Sequence, residues 1–212
     1  MRLERYGIAL DTLKSEHLEM VRLWRNQDFV RNNMQFKGVL SRTDQEKWFS
    51  RLDESNNLYW IIQYNHYPIG LIHIKEIDLD SGTGEAGIFI GEPSFLEMPQ
   101  SMLAILFMME LAFYVLSLKT LKAKIQAGNH HSIRFNKQLG YSLKSDDESE
   151  FQYYTVNQNQ FEEATEKLRQ SAAKMYGNKT GVKLSSRDLN LHSKLGAIAV
   201  ESGYFNPYFL VD

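Results

Sequence analysis

The sequence predicts an α+β protein: a central mixed, mostly antiparallel sheet flanked by helices, followed by a C-terminal extension. Three observations carry this. Residues 84–141 read as strand, loop, long apolar helix, strand and short helix, and a strand–helix–strand unit of that length demands a parallel pair joined by a crossover. Residues 58–90 hold three short apolar runs separated by turn residues, the mark of an antiparallel meander. Residues 141–176 supply a closing hairpin and an amphipathic helix. A length of 212 residues accommodates one domain, placed at 1–176, plus an extension at 177–212.

Tyr6-Gly7-Ile8-Ala9-Leu10 alternates and predicts the opening strand. A helix over 15–26 follows, with Leu18, Val21 and Trp24 on one face, ending in Trp24-Arg25-Asn26. Thr43-Asp44-Gln45-Glu46 reads as a capping box opening a second helix that buries Trp48, Phe49 and Leu52. The meander strands are 58–64, 69–77 and 85–90, with turns at Asn65-His66-Tyr67-Pro68 and over 78–84. A loop over 91–98 leads to a helix whose first residue is Pro99, where a missing N–H costs nothing, and which runs to about Ser117. Strand 121–127 alternates apolar residues with Lys, Lys and Gln. Asn129-His130-His131-Ser132 opens a short helix closed by Gly140. The hairpin joins 141–144 to 151–156 through the acidic loop Asp146-Asp147-Glu148, and the last domain helix, 160–176, aligns Phe161, Ala164, Leu168, Ala172 and Met175. In the extension, 177–186 reads as a polar linker and 188–200 as a short helix. The run Tyr204-Phe205-Asn206-Pro207-Tyr208-Phe209-Leu210-Val211 is too aromatic to stay in water and is expected to dock on its own domain or on a second copy, a homodimer contact.

Composition removes several functions. A net charge of −2 gives no basic footprint, so nucleic acid is not an expected partner. The absence of cysteine excludes disulfides, thiol nucleophiles and thiolate metal sites, and the six histidines show no metal-ligand spacing. Residues 102–118 are apolar but interrupted by Glu110 and shorter than the ~20 residues of a membrane span, so a buried helix is expected. Met1-Arg2-Leu3-Glu4-Arg5 has no apolar run, which makes the cytoplasm the expected location.

The loop before the long helix directs backbone N–H groups outward from a helix N-terminus, an arrangement suited to an anion, most naturally phosphate. The segment AGNHHSIRFNKQLGYSL resembles the signature of the GNAT N-acetyltransferase superfamily: strand, Asn, two residues, Ser, then a helix ending in Leu-Gly-aromatic. MELAFYVLSLKTLKAKI resembles the helix and strand that precede it, and the likeness covers roughly residues 6–157. The resemblance implies acetyl-CoA as cosubstrate. It places pantetheine against the exposed backbone of Ile88, Phe89 and Ile90, beside a V-shaped split in the sheet. It places the pyrophosphate at the N–H groups of Gln100 and Ser101. Asn129 and Ser132 match family positions that bond pantetheine or phosphate. Asn136 lies on the same helix, where Phe135 and Asn136 replace the tyrosine that many members use as thiolate acid. Trp24, Arg25 and Asn26 fall near the acceptor pocket. The chain departs from the family in the loop, where Glu97 and Pro99 occupy two positions usually held by glycine.

Acetyl transfer to an amine needs a proton acceptor for the amine and an N–H donor for the thioester oxygen. The strand backbone at Phe89 and Ile90 is the expected donor. Glu85, at the start of the strand edging the cleft, and His73, on the neighbouring strand, are the candidate bases. The alternatives are a surface strand-end carboxylate for Glu85, a half-buried sheet histidine for His73, and core packing for Trp24. The resulting reading is an acetyl-CoA-dependent N-acetyltransferase acting on a small-molecule amine. IGLIHIKEIDLDSGTGEAGIFIGEP is similar to enzymes acting on nucleotide-linked amino sugars. The rival readings are a protein N-terminal acetyltransferase of the ribosomal-protein type and a non-catalytic binding module with a weakened CoA site.

Overall fold

The computed structural model of the chain describes residues 1–144, 149–177 and 181–183, the last three by backbone alone. Its strands are β1 (Arg2–Arg5), β2 (Ile8–Thr12), β3 (Leu58–Tyr64), β4 (Tyr67–Asp78), β5 (Thr83–Ile90), β6 (Thr120–Gln126), β7 (Ser142–Leu143), β8 (Phe151–Asn157) and β9 (Gly181–Lys183). They form one nine-stranded sheet in the order β7-β8-β6-β5-β4-β3-β2-β1-β9. Every pairing is antiparallel except β5 with β6.

Local backbone chemistry sets the hairpins. Tyr6 and Gly7 both take positive φ, 55° and 72°, so they form a tight turn between β1 and β2 rather than the start of a strand. The sequence reading put them in the opening strand and missed β1. Asn65 and His66, at φ 48° and 67°, turn β3 into β4, and Pro68 lies inside β4. A register shift between Lys75 and Asp78, with Glu76 at φ 53°, kinks the far end of β4.

The helices are α1 (Leu18–Asn26), α2 (Asp28–Arg31), α3 (Arg42–Ser50), α4 (Gln100–Glu110), α5 (His130–Gln138) and α6 (Gln158–Tyr176). A 3₁₀ turn, Ser15–His17, precedes α1. The box that opens α3 is Ser41 with Asp44, not Thr43 with Glu46: the Ser41 hydroxyl accepts from the Asp44 N–H and Asp44 accepts from the Ser41 N–H. Both pairings obey the same spacing rule, and the pair two residues earlier prevails. Trp48, Phe49 and Leu52 are half-buried rather than buried. Pro99 is the residue before α4, with helical φ and ψ of −66° and −10°. After Glu110 the chain widens into a π-helical turn, Leu111–Val115, closed by Ser117 at φ 55°. On α6 the buried stripe is Phe161, Thr165 and Ala172 with Leu168 half-buried, while Ala164 and Met175 face solvent. The expected line holds at Phe161, Leu168 and Ala172, with Thr165 taking the place expected of Ala164 and the stripe ending before Met175.

One face of the sheet packs on α4 and α6 around Tyr6, Ile8, Trp60, Ile72, Phe107 and Phe161, and the other on α1 and α3 around Leu13, Val21, Trp24, Ile61 and Leu71. Helix α4 is apolar on all sides and therefore buried between neighbours. Among the described residues no helix is long and apolar enough to cross a membrane. Residues 181–183 add an edge strand to β1, where a linker was expected. The expected helix over 188–200, the aromatic run 204–211 and the acidic loop 146–148 lie outside the described residues.

Among the described residues, Glu110 is the one carboxylate buried in the main core, 2% exposed. Tyr6 Oη donates to its Oε1 at 2.8 Å, and Arg5 Nε lies 2.7 Å from its Oε2. Burial, and then the charge of Glu110, push the Tyr6 hydroxyl up to about 12, so it remains a donor. Glu110→Ala would remove the buried carboxylate that Arg5 and Tyr6 both meet and should lower unfolding free energy by about 3–5 kcal/mol, read by denaturant titration. A loss under ~1 kcal/mol would mean that the pair is solvated.

Candidate active site

The parallel pair is short. Thr83, Gly84 and Glu85 align with Thr120, Leu121 and Lys122, and the pairing stops there. Among the described residues, 86–90 continue along β4 with no partner on their other edge, while β6 stays paired to β8 along its whole length. Alternate residues of a strand turn N–H and C=O to each edge, so the split leaves hydrogen-bonding backbone free at Ile88, Phe89 and Ile90. The splayed parallel pair expected from the sequence is present.

The loop after β5 delivers the chain to the start of α4. Helices α3, α5 and α6 are capped by the side chains of Ser41, Asn129 and Asn157, whereas α4 has no side-chain cap. The N–H groups of its first turn, from Gln100 and Ser101 onward, have no intrahelical acceptor. Gln100 is buried and its Oε1 has no hydrogen-bond partner. The Ser101 hydroxyl donates to Met98 O at 3.3 Å. Glu97 is exposed, directed to solvent beside the helix start.

Across the split, Asn129 Oδ1 accepts from the Ser132 N–H at 3.0 Å and so caps α5. Its Nδ2 donates to Asn33 Oδ1 at 2.8 Å, and Asn136 Nδ2 donates to Ser132 O at 2.9 Å. The amide of Asn129 and the backbone of Ser132 thus already serve their own helix and one neighbour, while the Ser132 hydroxyl and Asn136 Oδ1 make no hydrogen bond among the described residues.

A strap over residues 24–37 bridges the two sides. Trp24 Nε1 donates to Glu92 Oε1 at 2.9 Å and Gln27 Nε2 to Gly91 O at 3.0 Å, on the β5 side. The Trp24 indole fills the place a side chain at Gly91 would need. Asn33 meets Asn129, Gln35 accepts from Lys124 Nζ at 3.2 Å and Lys37 pairs with Glu150 at 2.6 Å, on the β6–β8 side. Asn26 ties the strap to Leu40 through two bonds, 2.8 and 2.9 Å, so its side chain is spent on positioning.

Beneath the strap, Arg25, Tyr59, His73, Lys75 and Glu85 gather on one sheet face. Tyr59, His73 and Gly87 are in register across β3, β4 and β5, as are Lys75 and Glu85. The His73 ring stacks on Tyr59 at 4.8 Å, occupies the space above Gly87, and leaves its Nδ1 buried without a partner. Burial first, then the charges of Lys75 and Arg25, hold His73 down to about 3, so it is a neutral imidazole of low basicity. Glu85 is 16% exposed at the last paired residue before the split and meets Lys75 Nζ at 2.9 Å. Burial, then Glu85, push the Tyr141 hydroxyl well up, and it too is buried without a partner. Sequence reasoning missed Tyr59 and Lys75 here, because only the register places them beside His73 and Glu85, and it missed Gln27 and Glu92 as the strap's anchors.

Comparison with known proteins agrees with this geometry. A family model described as an acetyltransferase (GNAT) domain matches residues 8–142. The spermidine N-acetyltransferase of Vibrio cholerae, solved with CoA and spermine, superposes with a TM-score of 0.65 at 13% identity, over 73% of this chain and 98% of its own. Campylobacter jejuni N-acetyltransferase PseH superposes at 0.54 with 20% identity, over 72% and 99%. Aminoglycoside acetyltransferase AAC(6')-Ib, solved with coenzyme A, superposes at 0.63 with 16% identity, over 76% and 99%. At such identities the likeness is one of fold. No curated protein sequence matches the chain.

His73 makes a pH prediction. Its folded value, about 3, lies below its unfolded value near 6.5. Between the two the unfolded chain binds the extra proton, so this contribution is fully present above about pH 6.5 and is lost as pH falls toward 3. His73→Phe, which keeps a ring on Tyr59, should flatten that acid limb of stability relative to the parent. Denaturant midpoints measured from pH 7.5 down to about 4 check this, and parallel curves for the two proteins would show that His73 titrates normally.

Proposed function

This chain belongs to the GNAT acetyltransferase family, and from that premise we propose that it moves an acetyl group from acetyl-CoA to the primary amine of a small molecule, by direct attack in a ternary complex. The observation that carries this is the parting of β5 from β6 after Glu85 and Lys122, with an uncapped helix start at the head of the opened edge. Neighbours solved with CoA support the cosubstrate.

The residues present fit that cosubstrate. The backbone of Ile88, Phe89 and Ile90 offers the open strand edge to amide groups. The N–H groups of Gln100 and Ser101 face outward for the pyrophosphate, and Asn129, Ser132 and Asn136 flank the opposite wall. When bound, acetyl-CoA supplies an acetyl thioester to the cleft. Glu85 is the leading base: it takes the proton of the incoming ammonium, directly or through water, so that a neutral nitrogen attacks the carbonyl carbon as the C–S bond breaks. A strand N–H at Phe89 or Ile90 donates to the carbonyl oxygen as charge develops there. His73 is the weaker candidate, since a group held near 3 accepts a proton with little driving force at neutral pH. Trp24, Arg25 and Asn26 form and hold the acceptor side. Likeness in sequence supports a nucleotide-linked amino sugar as acceptor. Residues 1–176 constitute the transferase domain in this reading. The exchange of two loop glycines for Glu97 and Pro99 favours, as second reading, a binding module with weakened CoA affinity.

Coenzyme A at a hundred times its dissociation constant should raise stability by ~2.7 kcal/mol, seen as a thermal shift. Glu97→Gly should tighten CoA by up to ~1 kcal/mol at low salt, since it removes a screened like charge, and the gain should shrink as salt rises. Calorimetry of both proteins at low and high salt measures it. An unchanged affinity at low salt removes this loop from the pyrophosphate site, and no affinity in either protein hands the lead to the binding module.

A further inference from the structure

The acceptor side holds one ionised group with nothing to pair with. Arg25 projects from the last turn of α1 toward Tyr59 and His73, close enough for its charge to lower the histidine. It makes no hydrogen bond or ion pair with any described residue, and its Nε is sealed from solvent. The carboxylates around it are committed. Glu85 and Glu76 both face Lys75, at 2.9 and 3.5 Å, and Glu92 accepts from Trp24. A half-buried guanidinium without a counter-ion is costly to keep. The C-terminal carbonyls of α1 offset only part of that.

The geometry points to an anionic acceptor: we propose that Arg25 binds a carboxylate or phosphate carried by the amine that is acetylated. This rests on the acetyltransferase reading above and narrows its acceptor to amines that bear an acid group. A guanidinium presents paired N–H donors in a plane, which suits the two oxygens of either anion. The span is short. Tyr59, His73 and Gly87 lie side by side on adjacent strands, and strands are about 4.8 Å apart, so an anion at Arg25 sits roughly 10 Å from an amine at the opened edge of β5. That separation is too long for the amine and carboxylate of an α-amino acid and suits an amine whose acid group lies several bonds away, as in an amino sugar phosphate. A polyamine finds no unpaired carboxylate in this cluster to receive its second charge.

The test is thermal stability with sodium phosphate, sodium acetate, spermidine trihydrochloride and sodium chloride at matched ionic strength, on the full chain saturated with CoA so that the helix start is occupied. Phosphate or acetate should raise the melting temperature beyond chloride, and whichever does so tells a phosphorylated acceptor from a carboxylated one. Arg25→Met should abolish the anion shift while keeping the CoA shift of the parent. Arg25→Lys, which keeps the charge and loses the planar pair, should need at least threefold more anion for half the shift, and it carries the test if the methionine variant does not fold. No shift beyond chloride, an equal shift in the variants, or a larger shift with spermidine than with either anion overturns the proposal. Loss of the CoA shift in the parent would instead overturn the acetyltransferase reading, and the anion series run without CoA still decides the role of Arg25.

Discussion

The site depends on a pairing that ends early. Strand β6 is paired along its whole length with β8, and with β5 through three residues only. The two strands separate because different neighbours hold their ends. The end of β5 is fastened to β4, where Gly91 N and Glu92 N both donate to Ile69 O, and to α1 through Trp24. The end of β6 is fastened to the turn into α5, where Ala127 N donates to Glu150 O and Asn129 N to Gln126 O. Buried backbone without partners is expensive, so an edge opened in mid-sheet persists only if it stays wet or meets a ligand with amides of its own. Among the described residues, the fold leaves one edge of β5 with a strand's hydrogen-bonding groups and no strand beside them.

The strap over residues 24–37 adds a second constraint. It crosses the split and is anchored on both banks, so the width of the cleft and the placement of Arg25 are coupled. Motion of β5 against β6 would have to break Trp24–Glu92 on one side or Asn33–Asn129 on the other. Two side-chain nitrogens on this side of the sheet, Arg25 Nε and His73 Nδ1, are buried without hydrogen-bond partners among the described residues.

Much of the fold was legible because the strongest signals were periodic and long. The apolar helix over 100–110, the alternating strand over 120–126 and the capped start at Asn129 each obey one local rule. The misreadings share a cause. The Tyr6-Gly7 turn looks like strand by alternation, since Tyr and Ile are good strand residues and only the positive φ of Tyr6 reveals the turn. The cap of α3 slipped by two residues because Ser41/Asp44 and Thr43/Glu46 satisfy one spacing. The π-turn at Leu111–Val115 leaves no trace in composition. In the site, types of residue were legible and relations were not. His73 is an ordinary histidine in sequence, and its neutrality comes from burial against Tyr59 and Gly87, which strand register brings to it, and from the charges of Lys75, two residues along the same strand, and of Arg25 on α1.

The altered loop shows why a missing motif is weaker testimony than a missing interaction. Glycine at such positions lets backbone approach a phosphate closely, and the chain has Glu97 and Pro99 instead. Yet the donors that matter lie after Pro99. Proline stands one residue before α4, where it accepts the first helical bond from Leu103 N and removes an N–H that the helix does not direct outward. The N–H groups of Gln100 and Ser101 have no acceptor within the helix, and among the described residues α4 has no side-chain cap. The carboxylate of Glu97 lies in solvent, where screening limits its reach. The substitutions therefore change the loop before the helix while leaving the first N–H groups of α4 without a side-chain cap, so the feature altered in sequence pattern is not the one that sets the geometry of the helix end.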